Sequence, residues 1–191
     1  LQTNEATPPP TVTPASWSRE IPGALARSVA LVCILAGIVA PSEVSRAAAA
    51  AAHPGVPVFA DHRALLSSVR PDIVDVVTPS HTHLEITRDA LAAGCDVLLE
   101  KPMAVTLEDC REIARLARAS GRRVAVGHEF RLSSQWGTIK DLIAAGRIGD
   151  PQYVLVELSR RPYRLGASGW RYDPQRVGSW VLEEPIHFFD L

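Results

Sequence analysis

Val97-Leu98-Leu99-Glu100-Lys101-Pro102 decides how this chain reads. An apolar run stops abruptly at a carboxylate, an amine and a proline. Upstream, Ile73-Val74-Asp75-Val76-Val77 stops in the same way at Thr78-Pro79. Both runs are short, apolar and bounded by proline, the pattern of buried strands. Set side by side, they would place Thr78, Glu100 and Lys101 along one edge of a sheet. In open α/β sheets ligands bind at that carboxyl edge.

Working outward, strands and helices alternate. A strand is expected at 56–59, with Asp61 capping a helix that carries Leu65 and Leu66. Then come strand 73–77, helix 83–93, strand 96–99, helix 107–120 and strand 123–127. In the 83–93 helix Leu84, Thr87, Ala90 and Leu91 share a stripe, and Gly94 stands where a left-handed C′ residue belongs. Thr106 and Asp109 have the S/T-x-x-D/E capping spacing, Val105 and Cys110 the staple spacing, and Gly121 closes that helix. Such alternation implies βαβ units and a parallel sheet whose right-handed crossovers put every strand's carboxyl end on one edge.

The flanks are different. Residues 1–20 hold many Pro, Ser and Thr and few apolar side chains, and read as a disordered lead-in. Val29 to Ala40 is an apolar run too short to span a bilayer, and reads as a buried strand or the h-region of an export signal. Ser42 is expected to cap a helix through the alanines to about 52. After Gly127 the pattern changes: a helix is expected over 131–146, a half-buried strand over 151–159, then an aromatic-rich polar stretch to Trp170. We expect a Rossmann-like domain over 21–127 and the start of a second domain over 128–191, cut off at Leu191.

The 191 residues are 47% hydrophobic and 21% charged with net charge −1, so no electrostatic case for nucleic acid arises. No membrane partner is expected. Cys33, Cys95 and Cys110 are odd in number and far apart, which excludes a disulfide framework or a CxxC metal site and fits reduced thiols in a cytoplasmic protein.

Three places carry chemistry. Lys101 sits at a strand end with its following backbone angle fixed by Pro102, and reads as a proton-exchanging amine or as a salt-bridged lysine. His81-Thr82-His83 offers two imidazoles but no third ligand, so no metal is expected and a helix N-terminus facing a ligand is favoured. Glu183 and His187 are four apart, so on one helix the carboxylate would set the tautomer of the imidazole. The alternative is a solvated ion pair, and Pro185 between them argues against a regular helix.

Together these residues resemble a known family. The sequence D-x-V-x-V-x-T-P-S-x-x-H at 72–83, A-L-A-A-G at 90–94 and V-L-L-E-K-P at 97–102 are similar to the Gfo/Idh/MocA oxidoreductases. V-G-H-E-F-R at 126–131, G-x-I-G at 146–149, W-R-Y-D-P at 170–174 and His187-x-x-Asp190 extend the likeness over about 54–191. The resemblance implies an α/β fold: a Rossmann-type parallel sheet followed by the start of an α/β substrate domain. It implies an NAD- or NADP-dependent dehydrogenase acting on a sugar, cyclitol or polyol, homo-oligomeric in its full-length form. By position, Lys101 resembles the family's catalytic lysine, His187 its acid/base histidine and Glu183 the acid that supports it. Thr78, Pro79, Ser80, His83 and Glu100 resemble cofactor contacts, joined by Lys101 and, from the second domain, by Trp170 and Arg171. The Lys101-Pro102 bond is a candidate for cis.

The sequence also departs from the family. No G-x-G-x-x-G occurs, and Ala40 or Ser42 stands where a ribose-binding Asp is usual. Glu129 replaces a frequent Asn, and Gly178-Ser179 replaces a double glycine. The first glycine-loop unit therefore reads as missing or degenerate, which leaves as alternatives a non-catalytic binding or regulatory module, an inactive fragment of that family, or an eliminating or hydrolytic enzyme that oxidises its sugar only transiently.

Overall fold

The computed structural model describes residues 34–159 and 164–191, and residues 36–191 form one compact unit. The expected lead-in at 1–20 and the start of the 29–40 run lie outside the described residues. Strands and helices alternate as β1 (Ile38–Val39), α1 (Glu43–Ala52), β2 (Val58–Phe59), α2 (His62–Val69), β3 (Ile73–Val76), α3 (His83–Ala92), β4 (Asp96–Leu99), α4 (Leu107–Ser120) and β5 (Val124–Val126). All pairings are parallel, as the crossover helices require. β1 pairs with β2, while β3, β4 and β5 form a second ladder with Val76 opposite Leu99 and Leu99 opposite Val126. These orders match strands 3-2 and 4-5-6 of the doubly wound arrangement 3-2-1-4-5-6. No described strand joins the two ladders.

The local chemistry sets the helix ends. Ser42 accepts from Ser45 N, Asp61 from Arg63 N and Ala64 N, and Thr106 from Asp109 N, so each N-terminal turn has a side-chain partner. Gly121 closes α4 at φ 67°, where a side chain would be strained. The core lies on one face of the second ladder, where Val76, Val97 and Leu99 pack with Ala90 and Leu91 of α3 and Ile113 of α4. Cys95 is buried in this core, and its thiol donates to Pro71 O. The other face leaves Ile73 and Leu98 exposed. Beside α3, Arg63 binds Glu85 at 2.6 Å and Asp89 at 2.8 Å, and His62 donates to Asp89 at 2.7 Å, which ties α2 to α3. His62, Glu85 and Asp89 are close enough to hold an ion, but the guanidinium already serves the two carboxylates.

After β5 come a 3₁₀ turn at Glu129–Leu132, α5 (Ser134–Ala144), a second 3₁₀ turn at Ala167–Tyr172, and three short helices. These are α6 (Pro174–Val177), α7 (Trp180–Glu183) and α8 (Ile186–Asp190). One expectation fails here. Residues 151–159 alternate like a strand but form none: no described strand pairs with them, and Tyr153 is 80% exposed. Alternation marks a face to be buried, and without a neighbour to bond the backbone it does not make a strand. Of the two readings left open for Glu183 and His187, the shared helix does not form. Glu184 leaves the helical region at φ −129°, and Pro185 has no N–H to continue α7.

Leu99 is 0% exposed at the centre of the ladder. Leu99→Ala should lower the unfolding free energy by about 2–5 kcal/mol. Urea denaturation followed by circular dichroism checks this, with an earlier midpoint expected at unchanged slope.

Candidate active site at the carboxyl edge of the sheet

The ladder ends deliver the site. Glu100 N donates to Val76 O at 3.0 Å and Gly127 N to Leu99 O at 2.8 Å, so pairing continues one residue beyond β4 and β5. Beyond that point the chains separate, and the residues after β3, β4 and β5 turn into one region. Glu100 folds back to accept from Lys101 N at 3.0 Å, and the Lys101-Pro102 peptide bond is cis. The Lys101 side chain then reaches across to the C-terminal segment, where its Nζ donates to the main-chain oxygen of Glu183.

His187 meets it there. A cavity of about 270 Å³ is lined by Lys101, Glu129, Phe130, Arg171, Glu183 and His187 among others. The imidazole is buried, with its residue 4% exposed, and lies nearly parallel to Phe130 at a centroid distance of 4.6 Å. His128 meets it edge-on at 6.5 Å. Burial pushes the His187 pKa down, the positive charge of Lys101 lowers it further, and Glu129 and Glu184 oppose both. Nδ1 of His187 is buried without a hydrogen-bond partner among the described residues. The helix carrying it is fixed from behind: Arg131 forks onto Asp190 with Nε 2.6 Å from Oδ2 and Nη2 2.9 Å from Oδ1. That bond holds the Asp190 carboxyl below the usual carboxylate range.

Glu183 behaves differently from the sequence expectation. Its carboxylate does not orient His187. It faces Arg171, whose Nε lies 3.7 Å from Oε2, while its backbone oxygen takes the Lys101 amine. Arg171 also lies over the Trp170 ring, its Cζ 5.2 Å from the centroid.

The expected cofactor contacts divide into two groups. Thr78 is exposed, and Pro79, Glu100 and Lys101 are half-buried along the strand ends. Thr82 donates its hydroxyl to Pro79 O at 2.8 Å and lies 2.7 Å from the Thr78 hydroxyl, so Thr78 is left to donate to Thr82. Ser80 and His83 are buried beneath this surface instead of facing it. His83 is 0% exposed, with Nδ1 2.9 Å from Pro102 O and Nε2 2.9 Å from Thr78 O.

Phe130, Asp190 and Arg131 were not singled out as site residues from the sequence. Two signals were available: all three lie in the V-G-H-E-F-R and His187-x-x-Asp190 matches, and residues after β5 belong at the same edge as Thr78 and Lys101. Phe130 also lines a neighbouring cavity of about 430 Å³ with Trp136 and Phe188.

The family model described as an oxidoreductase family with an NAD-binding Rossmann fold, Gfo/Idh/MocA, matches residues 18–128. The chain belongs to the Gfo/Idh/MocA oxidoreductase family. Among relatives, D-glucoside 3-dehydrogenase of Escherichia coli K12 is 35% identical over 156 residues, covering 80% of this chain and 44% of that protein. Two solved structures are similar in fold. The WlbA dehydrogenase from Bordetella pertussis, in complex with NADH and UDP-GlcNAcA, has a TM-score of 0.56 at 27% identity over 59% of this chain and 35% of that one. The scyllo-inositol dehydrogenase from Lactobacillus casei, with bound NAD(H) and scyllo-inositol, has a TM-score of 0.56 at 26% identity over 60% and 34%. The chain spans less than half the length of the curated relatives it matches. No helix among the described residues is long and apolar enough to cross a membrane.

Burial and Lys101 together predict that the His187 ring titrates below the ordinary histidine value of about 6.5. The unfolded chain therefore takes up this proton first. The contribution to stability is present above about pH 6.5 and is lost as pH falls toward the lower folded value. A ring-proton NMR titration checks the shift, and Lys101→Met should move it back upward while burial keeps it below 6.5. An unshifted ring in the wild-type protein would remove the physical basis for this cleft.

Proposed function

We propose that this edge handles the hydroxyl proton in an NAD- or NADP-dependent oxidation of a sugar, cyclitol or related polyol. The observation that carries the reading is the meeting of a buried, depressed imidazole with a lysine amine in one cleft at the sheet's carboxyl edge. A neutral His187 can accept the proton of a substrate hydroxyl. Lys101, an ammonium with three donors, can hold the same oxygen while still bonded to Glu183 O, and its charge stabilises the oxygen as the proton leaves. Phe130 fixes the ring plane, and the Arg131–Asp190 pair fixes the helix behind it. In this reading residues 21–127 are the nucleotide-binding part, and 128–191 begin the substrate domain.

The residues fit one end of the cofactor. In this reading Thr78, Pro79 and Glu100 at the strand ends hold the nicotinamide and its ribose, with Trp170 and Arg171 contributed by the later segment. The nicotinamide, when bound, supplies the acceptor for the carbinol hydride. Among the described residues the pyrophosphate end has no counterpart, since no strand leads into a glycine loop, and the given sequence holds no G-x-G-x-x-G. That observation favours a second reading, a binding module that kept the site edge without the dinucleotide.

Titrating the 191-residue chain with NAD(H) by nicotinamide fluorescence separates the two. Saturable binding is expected on the dehydrogenase reading, and none up to millimolar cofactor supports the module. If polyol-dependent reduction of NAD(P) is seen at 340 nm, Lys101→Ala and His187→Ala should each lower it by about 10²–10⁴ with the fold intact. Unchanged turnover in both variants would rule out their assignment.

A further inference from the structure

We infer that His83 is a positioning residue for Lys101, its ring bracing the loop after β4 against the loop after β3. The inference rests on the reading of Lys101 as the group that holds the substrate oxygen. The last ladder bond between these strands is Glu100 N to Val76 O. One residue beyond Lys101, the Pro102 carbonyl points inward, and on the other side so does the Thr78 carbonyl. Neither has a strand partner, and a buried carbonyl left without a donor is costly.

The His83 ring stands between them, 0% exposed, with one nitrogen 2.9 Å from each oxygen. Both partners can only accept. A neutral imidazole donates to one of them, and a ring carrying both N–H groups donates to both. His83 is also the first residue of α3, whose Thr87, Ala90 and Leu91 are buried, so the ring is anchored in the core. Lys101 is thus held on both sides along the backbone. Its own N–H bonds Glu100 Oε1, and the Pro102 carbonyl accepts from His83 when the ring proton sits on Nδ1. Only the side-chain torsions remain, and the donation to Glu183 O fixes those.

The chain offers a direct readout. It has two lysines, Lys101 and Lys140, and Lys140 lies exposed on α5 as an internal reference. Limiting acetic anhydride, followed by peptide mass spectrometry, gives the ratio of Lys101 to Lys140 acetylation without cofactor or substrate. In His83→Ala the ratio should rise by about two- to tenfold, the range that the loss of one hydrogen bond allows. Added imidazole should bring it back toward wild type, and His83→Gln, which keeps a donor, should lie between. Thermal melts establish that each variant is folded. An unchanged ratio in a folded variant overturns the proposal. So does a rise that imidazole fails to reverse, which assigns the effect to the cavity, and so does unfolding of both variants, which assigns the ring to the core as a whole. Because no dinucleotide enters the assay, failure here leaves the dehydrogenase reading standing, and a chain that never binds NAD(H) can still show the expected ratio.

Discussion

Parallel pairing of β3, β4 and β5 is the constraint on which the site depends. In a parallel ladder every strand points the same way, so three loops must leave from one edge whatever their sequences. The ladder here runs one residue past two of its strands, through Glu100 N to Val76 O and Gly127 N to Leu99 O. That places Thr78, Lys101 and His128 in neighbouring loops although the sequence separates them widely. The edge also exposes main-chain carbonyls that the ladder no longer serves, and polar side chains are needed there to satisfy them. A site rich in hydrogen-bonding groups is a consequence of ending buried strands together.

The cleft is closed by contacts that run far along the sequence. Lys101 Nζ reaches Glu183 O across 82 residues, and Arg131 reaches Asp190 across 59. Both tie the short helices α7 and α8 to the strand edge. Gly178 lets the chain approach it closely: at φ +79° a Cβ there would lie 2.9 Å from both Val105 Cγ1 and Leu182 Cδ1. A side chain larger than hydrogen would push α7 away from the loop that follows β4. The backbone oxygen that Lys101 needs would move with it.

Much of this was legible from the sequence wherever local chemistry and burial agreed. β4 and α4 fall at 96–99 and 107–120 as expected, because a buried apolar run bounded by glycine and proline and a capped, glycine-closed helix leave little choice. Residues 151–159 show the opposite case, since their alternation needs a partner strand that the local sequence cannot specify. The site was legible in part for the same reason. The edge rule and the family resemblance together pointed to Lys101 and His187. The sequence could not say that Glu183 would turn to Arg171, because Arg171 comes from a different turn. Nor could it say that His83 would face inward, because its partners are main-chain carbonyls, which have no signature in side-chain identity.

That turn of Glu183 changes the electrostatics of the imidazole. A carboxylate on Nδ1 would raise the basicity of His187 and favour the protonated ring. Instead Nδ1 has no partner among the described residues, Phe130 covers one face, and the positive charge of Lys101 depresses the ring. These influences keep the ring neutral, which is the state able to accept a proton, but they weaken it as a base. The same positive charge that depresses the ring would also stabilise an oxygen that is losing its proton between the two groups. In the proposed reaction Lys101 therefore acts on both ends of one transfer, lowering the affinity of the acceptor for the proton and lowering that of the donor at the same time. Which effect wins depends on distance, since the Coulomb interaction falls as 1/r and strengthens as water leaves the cleft. A hydroxyl held directly on the ammonium would lie about 3 Å from that charge. On the proposed reading transfer is favoured where the imidazole lies farther from the amine than that, so the placement of the amine sets the margin.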